Sequence, residues 1–155
     1  MIKAAVRWMI RRNIAALNAG RHEPALAMFA GSATLCFPGR NAWSGQFREP
    51  TLGRSAHRSH QGRDEIEAFL RRYVRHGIQM AVEDILVNGP PWALRAAVRA
   101  HVWVPGPEVG RDVYSNRVVL MIDTRWGRIQ RQEDYEDTER AAAFDAHLAG
   151  GSVVS

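Results

Sequence analysis

Apolar side chains in the first part of the chain recur three or four residues apart, as one face of a helix requires. In the first predicted helix these positions are Val6, Met9, Ile10, Ile14 and Leu17. A second, short helix is expected to begin around Pro24, because proline suits the first helical turn. A third is predicted between Gly62 and Gly77, since acidic residues fill its first turn and basic residues its last turns, which complements the helix dipole.

After Gly77 the pattern changes from helical spacing to the two-residue alternation of strands. Strands are predicted at residues 33–37, 79–87, 93–104, 112–122 and 128–137, and a last short helix at residues 139–148. The short, turn-rich connections between the later strands predict antiparallel neighbours. Helices followed by a meander of strands indicate an α+β fold, in which a curved antiparallel sheet wraps over the N-terminal helices.

The composition is that of one water-soluble domain. The chain has 155 residues, 46% of them apolar, and we expect a single domain at residues 1–149 followed by a tail at 150–155. Residues 48–60 lack an apolar pattern and are predicted to be an inserted surface loop, either poorly ordered or folded over a binding site as a lid. With Cys36 as its single cysteine, the chain cannot form an internal disulfide, so a reducing, cytoplasmic location is expected.

The formal net charge of +5 raises the question of a nucleic-acid partner. The basic residues are scattered over predicted helices, loops and strands, Lys3 is the only lysine, and no known nucleic-acid-binding motif is present. No apolar run approaches the roughly 20 residues that cross a bilayer. We therefore expect neither a nucleic acid nor a membrane as partner.

Several segments resemble known proteins. Residues 12–20, 25–30 and 33–39 resemble the opening of ketosteroid isomerase and its relatives. Residues 37–45 and 61–70 are similar to the SnoaL-like polyketide cyclases. Both groups belong to the nuclear transport factor 2-like superfamily, and the resemblance covers nearly the whole chain except residues 48–60 and the last few. It implies a cone-shaped α+β barrel with a pocket for a small hydrophobic molecule, no cofactor, and a homodimer formed through the outer face of the sheet.

The resemblance does not extend to the catalytic groups of ketosteroid isomerase. Asn13 stands where that family has a tyrosine that donates a hydrogen bond to the reacting oxygen, and Phe37 stands where it has the carboxylate base. Val118 falls near the position of its second, protonated aspartate. The usual steroid isomerase mechanism is therefore not expected here.

The epoxide hydrolase and cyclase branches of the superfamily match better. In both, a carboxylate on the final strand acts as base, and the pattern Asp-x-x-Asp places it at Asp134, with Asp137 as the second member. The arginine that limonene-epoxide-hydrolase-like enzymes carry on the middle strand corresponds to Arg99, while His101 replaces their second aspartate. The resemblance thus implies a catalytic group in which Asp134 is the base, His101 orients it and Arg99 stabilises an oxyanion.

Strand alternation leaves the position of two of these residues open. Arg99, His101 and Trp103 share one face of the strand at 93–104, and the opposite face is entirely apolar. Period-two logic favours the apolar face as the one packed on the helices, with Arg99 and His101 in solvent or at a dimer interface. The family geometry favours the reverse, with the polar set lining the pocket.

Ligand contacts are expected from aromatic and polar residues that the pattern places in the core or at the pocket wall. These are Trp8, Asn13, Phe37, Trp43, Tyr73, Trp103 and Tyr114. His57 and His60 have a spacing that could bind a metal, but no carboxylate or thiol lies near them in sequence, so no metal site is expected.

The sequence leaves two functions open. One is a cofactor-independent enzyme that acts on a polyketide-, terpenoid- or steroid-like molecule by general base catalysis, with cyclisation, isomerisation, dehydration or hydration as its reaction. The other is a non-catalytic module of the same fold that binds a small molecule or dimerises.

Overall fold

The computed structural model describes residues 1–45, 59–148 and 150. The predicted loop at 48–60 falls outside the described residues except for Ser59 and His60, and so does the tail after Gly150. His60 begins a short strand, is fully buried, and hydrogen-bonds through Nε2 to the carbonyl oxygen of Trp43 at 3.0 Å. The packing of this histidine is therefore that of a core residue.

Each of the predicted helices is present. They are α1 (Ile2–Asn18), α2 (Glu23–Leu26), α3 (Gly62–Arg75) and α4 (Thr138–Leu148). In α3 the acidic side chains of Asp64 and Glu65 lie in the first turn, and Arg75 lies in the last, as the dipole argument predicts. In the described part of the chain, no helix combines the length and the apolar character that crossing a membrane requires.

Within residues 1–45 and 59–148, six strands form one curved sheet. They are β1 (Phe29–Cys36), β2 (His60–Gln61), β3 (Gln79–Asn88), β4 (Arg95–Pro105), β5 (Asp112–Arg125) and β6 (Arg128–Glu136), in the spatial order β2-β1-β6-β5-β4-β3. The predicted α+β class is confirmed, with one refinement. The sheet is mixed rather than wholly antiparallel, because β1 pairs with β6 in parallel. These two strands lie at opposite ends of the chain, so no hairpin turn fixes their relative direction.

Strand alternation decides which sheet face packs on the helices. On β4 the side chains of Ala96, Val98, Ala100 and Val102 are buried, while Arg99 on the other face is exposed. The apolar face therefore points inward, as period-two logic predicts.

Asn18 at the end of α1 fixes this helix to the sheet. Its Nδ2 atom donates to the carbonyl oxygen of Met80 at 2.8 Å, and its Oδ1 atom accepts from the Met80 backbone N–H at 2.9 Å. Both bonds join α1 to the start of β3. The paired contact holds the helix across the inner face of the sheet, where it forms one wall of the cavity described next.

Candidate active site

An apolar cavity of about 150 Å³ lies between the helices and the inner face of the sheet. Its walls come from α1, α2, α3 and all the long strands, and most of them are buried apolar side chains such as Phe69, Val118 and Leu120. Arg95 and Gly127 are the exposed members of the wall. The cavity therefore opens to solvent beside the turns that precede β4 and β6.

Strand β6 brings polar groups into this apolar space. Gln132, Asp134 and Glu136 alternate along the strand, so all three face the cavity. Asp134 is only 8% exposed, and its Oδ1 atom accepts a hydrogen bond from Gln132 Nε2 at 2.9 Å. No hydrogen bond to its Oδ2 atom is found within the described part of the chain. Asp134 thus presents one carboxyl oxygen that a ligand could reach.

The surroundings of Asp134 favour its protonated form. Burial in the apolar cavity raises the pKa of its carboxyl group from the usual 3.8 to about 8, and the nearby charge of Glu136 adds to the increase. The hydrogen bond from Gln132 acts in the opposite direction but is the weaker influence. Such a group can donate or accept a proton close to neutral pH.

Glu136 is held more tightly than Asp134. Asn41 Nδ2 donates to its Oε1 atom at 2.8 Å, and the Tyr114 hydroxyl donates to Oε2 at 3.2 Å. Asn116 Nδ2 in turn donates to the Tyr114 hydroxyl oxygen at 3.0 Å. Burial of its carboxyl group raises the pKa of Glu136 to about 7, although the bonds from Asn41 and Tyr114 lower it. With both oxygens bonded, Glu136 is fixed in place and is the less available of the two carboxyl groups.

Tyr73 supplies a hydroxyl group to the same cavity. It lies on α3, is buried, and its hydroxyl has no hydrogen-bond partner among the residues that the structure describes. Burial, together with the charges of Asp134 and Glu136, raises the pKa of this hydroxyl above its usual value. It therefore stays protonated at neutral pH and can donate a hydrogen bond to a ligand oxygen.

Five of the predicted ligand-contacting residues line the cavity. They are Asn13, Phe37, Trp43, Tyr73 and Tyr114. Trp8 does not: it is 62% exposed on the outer side of α1, with the Arg12 guanidinium 5.3 Å from its ring centroid. Trp103 does not either, because it lies on the outward face of β4. The prediction that Trp8 and Trp103 form the pocket wall is corrected accordingly.

Arg99 and His101 are also outside the cavity, on the opposite side of the sheet from Asp134. His101 Nε2 hydrogen-bonds with Ser115 Oγ at 2.8 Å, and its ring stacks on Trp103 with centroids 5.3 Å apart. Arg99 Nε lies 3.3 Å from Glu83 Oε2. The expected grouping of Asp134, His101 and Arg99 is thus wrong in its geometry, because alternate residues of β4 turn the two basic side chains outward.

Glu136 was not predicted from the sequence, although a signal was present. Gln132, Asp134 and Glu136 follow one another at two-residue spacing, which places them on one strand face. The Asp-x-x-Asp pattern directed attention to Asp137 instead, which lies beyond the strand. The Asp137 Oδ1 atom accepts from the backbone N–H of Glu139 at 3.0 Å, so Asp137 caps α4.

The chain is similar to known proteins in its three-dimensional structure. No protein-family model matches the chain, and no curated protein matches it. A nuclear transport factor 2-like protein of unknown function from Burkholderia pseudomallei is 20% identical, with a TM-score of 0.60 over 86% of this chain and 91% of that one. A nuclear transport factor 2-like protein with a cystatin-like fold from Novosphingobium aromaticivorans is 14% identical, with a TM-score of 0.61 over 91% of this chain and 85% of that one. A protein from Kribbella flavida, provisionally named a ketosteroid isomerase, is 19% identical, with a TM-score of 0.56 over 84% and 76%.

Proposed function

Because the chain has the nuclear transport factor 2-like fold, we propose that it is an enzyme that moves a proton on a small hydrophobic molecule of polyketide, terpenoid or steroid type, without a cofactor. The observation that carries this proposal is the carboxyl group of Asp134, which lies in an apolar cavity and whose Oδ2 atom has no hydrogen-bond partner among the described residues. A positioned group whose pKa lies near the working pH is the best general acid or base. The pKa of about 8 meets this condition.

The reaction begins with proton abstraction next to a carbonyl group. A bond forms between Asp134 Oδ2 and the proton while the C–H bond breaks, and the electron pair moves onto the carbonyl oxygen to give an enolate. The Tyr73 hydroxyl donates a hydrogen bond to that oxygen and stabilises its charge. Return of the proton to another carbon of the enolate system isomerises the molecule. Alternatively, the enolate carbon attacks a second carbonyl and closes a ring; the electron pair of that carbonyl moves to its oxygen, which takes the proton from Asp134.

Glu136 acts through Asp134 rather than on the ligand. Its oxygens are bonded to Asn41 and Tyr114, which leaves it little freedom to exchange protons with a bound molecule. Its negative charge raises the pKa of Asp134. When it is ionised, Glu136 favours the protonated form of Asp134 and so helps Asp134 to hold the abstracted proton until it is returned.

Hydrogen exchange of a simple ketone tests the proposal without knowledge of the natural substrate. β-Tetralone, a bicyclic ketone with acidic C–H bonds, is mixed with the protein in heavy water, and NMR follows the loss of its proton signals. The expected exchange rate for Asp134→Asn is lower than that of the native protein by roughly 10²–10⁴-fold, while binding of the ketone survives.

The matched control is Asp137→Asn, the same chemical change on an exposed residue outside the cavity. Asparagine caps helices about as well as aspartate, so this variant should fold normally and exchange at the native rate. Exchange by Asp134→Asn at the native rate would refute the proposed role of Asp134.

A second candidate is a binding protein that catalyses nothing. It is favoured by the apolar walls of the cavity and by the outward position of Arg99 and His101, which places neither of these two side chains beside Asp134. Native protein that binds β-tetralone but never exchanges its protons would support this candidate.

The outer face of the sheet supports a further proposal, that two copies of the chain form a homodimer. Val119 and Tyr135 are exposed neighbours in the register of β5 and β6. Beside them Glu83 lies between Arg99 and Arg117, at 3.3 and 2.9 Å. This combination of apolar groups and mixed charges suits an interface in which the same surface of two copies meets about a twofold axis.

A further inference from the structure

Two exposed tryptophans meet where the cavity opens. Trp92 lies in the connection before β4 and Trp126 in the turn before β6. Their ring centroids are 6.4 Å apart, and the Trp126 backbone N–H donates to the Trp92 carbonyl oxygen at 3.1 Å. The two side chains are 54% and 75% exposed. Trp92 and Trp126 are not among the residues that line the cavity, but Gly127 follows Trp126 directly and Arg95 comes three residues after Trp92, and both are exposed members of the cavity wall. This neighbourhood indicates that the tryptophan pair lies beside the entrance.

The backbone conformation of Trp126 is unfavourable for a bulky residue. Arg125 and Arg128 pair across the ladder, so Trp126 and Gly127 are the two central residues of a tight hairpin turn. Both have positive φ, 49° and 77°. Such turns prefer asparagine or aspartate followed by glycine, and tryptophan is rarely found at positive φ. The exposed ring is not part of the core, so packing in the interior does not account for tryptophan at this position.

The volume of the cavity indicates that a ligand of the proposed class extends through the entrance. A cavity of about 150 Å³ is the size that accepts a single benzene-like ring. A polyketide-, terpenoid- or steroid-like molecule is larger. Asp134 is seven residues from Gly127 along β6, which corresponds to roughly 23 Å of strand. A molecule that reaches Asp134 and still extends to solvent must therefore be elongated, and its outer part passes the two tryptophans.

We propose that Trp92 and Trp126 form an aromatic rim that binds the outer part of the ligand, and that the ligand is an elongated apolar molecule whose carbonyl group lies inside the cavity. This inference rests on the proposed function, since it takes the carbonyl group of the ligand to lie within the cavity that holds Asp134. Flat or long-chain apolar groups fit the rim because they can cover the exposed tryptophan faces. Arg95 at the entrance is ion-paired with Asp123 at 2.7 Å, so the charge of this wall residue is already compensated.

Two fluorescent ketones of different length test the rim. Prodan and laurdan carry the same naphthalene ring and carbonyl group, but laurdan has a dodecanoyl chain where prodan has a propionyl chain. Dissociation constants are measured for the native protein, Trp92→Ala and Trp126→Asn. Both variants are expected to bind laurdan roughly tenfold more weakly and prodan as the native protein does. The melting temperature of Trp126→Asn should be equal to or above the native value, because asparagine suits the turn.

Trp8→Ala is the matched control, since Trp8 is also an exposed tryptophan but lies on the outer side of α1, away from the turns that precede β4 and β6; it should bind both probes normally. Equal laurdan affinity in native protein and Trp126→Asn would overturn the rim while leaving the proposed function intact. The rim would also be overturned if Trp8→Ala lost as much laurdan affinity as Trp92→Ala and Trp126→Asn, or if these two variants lost as much affinity for prodan as for laurdan. If Trp126→Asn instead converts a dimer to a monomer without changing laurdan binding, the pair is a contact between copies. Failure of the native protein to bind either probe would contradict both the rim and the proposed ligand class.

Discussion

Replacement of Asp134 by asparagine should change how the stability of the fold depends on pH. The folded protein holds the proton of Asp134 up to a pKa of about 8, whereas the unfolded chain releases it near the usual 3.8. Between these values the folded state binds more protons than the unfolded state, so this group makes the free energy of unfolding decrease as pH rises. Below the unfolded value both states are protonated, and the effect vanishes.

The size of the effect follows from the shift. Each pKa unit corresponds to about 1.4 kcal/mol, so by pH 7 the raised pKa of Asp134 lowers the free energy of unfolding by about 4 kcal/mol. Asparagine has the shape of the protonated acid but no titrating proton. Asp134→Asn should therefore match the native protein near pH 4 and exceed its stability increasingly up to pH 8.

Urea denaturation of both proteins at a series of pH values measures this difference. The control Asp137→Asn changes an exposed carboxyl group and should follow the native curve. A stability difference between native protein and Asp134→Asn that stays constant from pH 4 to pH 8 would refute the reasoning, because it would mean that Asp134 titrates alike in the folded and unfolded states.

Three further predictions concern other parts of the molecule. Tyr73→Phe removes a buried donor that has no partner among the described residues, so the melting temperature should not fall. The affinity for β-tetralone should drop about tenfold, whereas the affinity for the hydrocarbon tetralin should not change. Equal losses of affinity for the two ligands would contradict this prediction. Val119→Lys should place like charges at the proposed dimer interface. In sedimentation at a protein concentration on the order of tens of micromolar, only this variant should appear as a 17.4 kDa monomer. Native protein that sediments at the monomer mass would refute the dimer. Asn18→Ala removes both hydrogen bonds to Met80 and should lower the free energy of unfolding, measured by urea denaturation, by about 2 kcal/mol. Native stability in this variant would show that the two bonds from Asn18 do not stabilise the fold.

The helices and most strands could be predicted from the sequence because their apolar spacing is a local property. The spacing of Val6, Ile10 and Ile14 describes one face of α1, and the alternation in β4 describes a strand with one buried face. The parallel pairing of β1 with β6 could not be predicted this way. It depends on contacts such as that of Leu35 with Gln132, which lie far apart in the chain and leave no local pattern.

The structure brings together only some of the residues that the sequence assigns to the site, and the departures have a physical explanation. The resemblance indicates Asp134, which lies buried in the cavity. The same resemblance assigns Arg99 and His101 to this site, although the alternation along β4 favours an outward position. The Asp-x-x-Asp pattern that identifies Asp134 also contains Asp137, but residues three apart on a strand point to opposite faces. Glu136, two residues away, is the carboxyl group that shares the cavity.

The pH dependence of ketone exchange tests the central claim, that Asp134 is the proton-transferring group, most directly. The rate of β-tetralone exchange in heavy water is measured at low ketone concentration, after subtraction of the protein-free rate, so that it reports the pKa of the free protein. Because the ionised carboxylate is the base, the native rate should rise with pH and level off above about pH 8, and Asp134→Asn should lack this rise. A native rate that already levels off near pH 4, or an unchanged profile in Asp134→Asn, would contradict the claim.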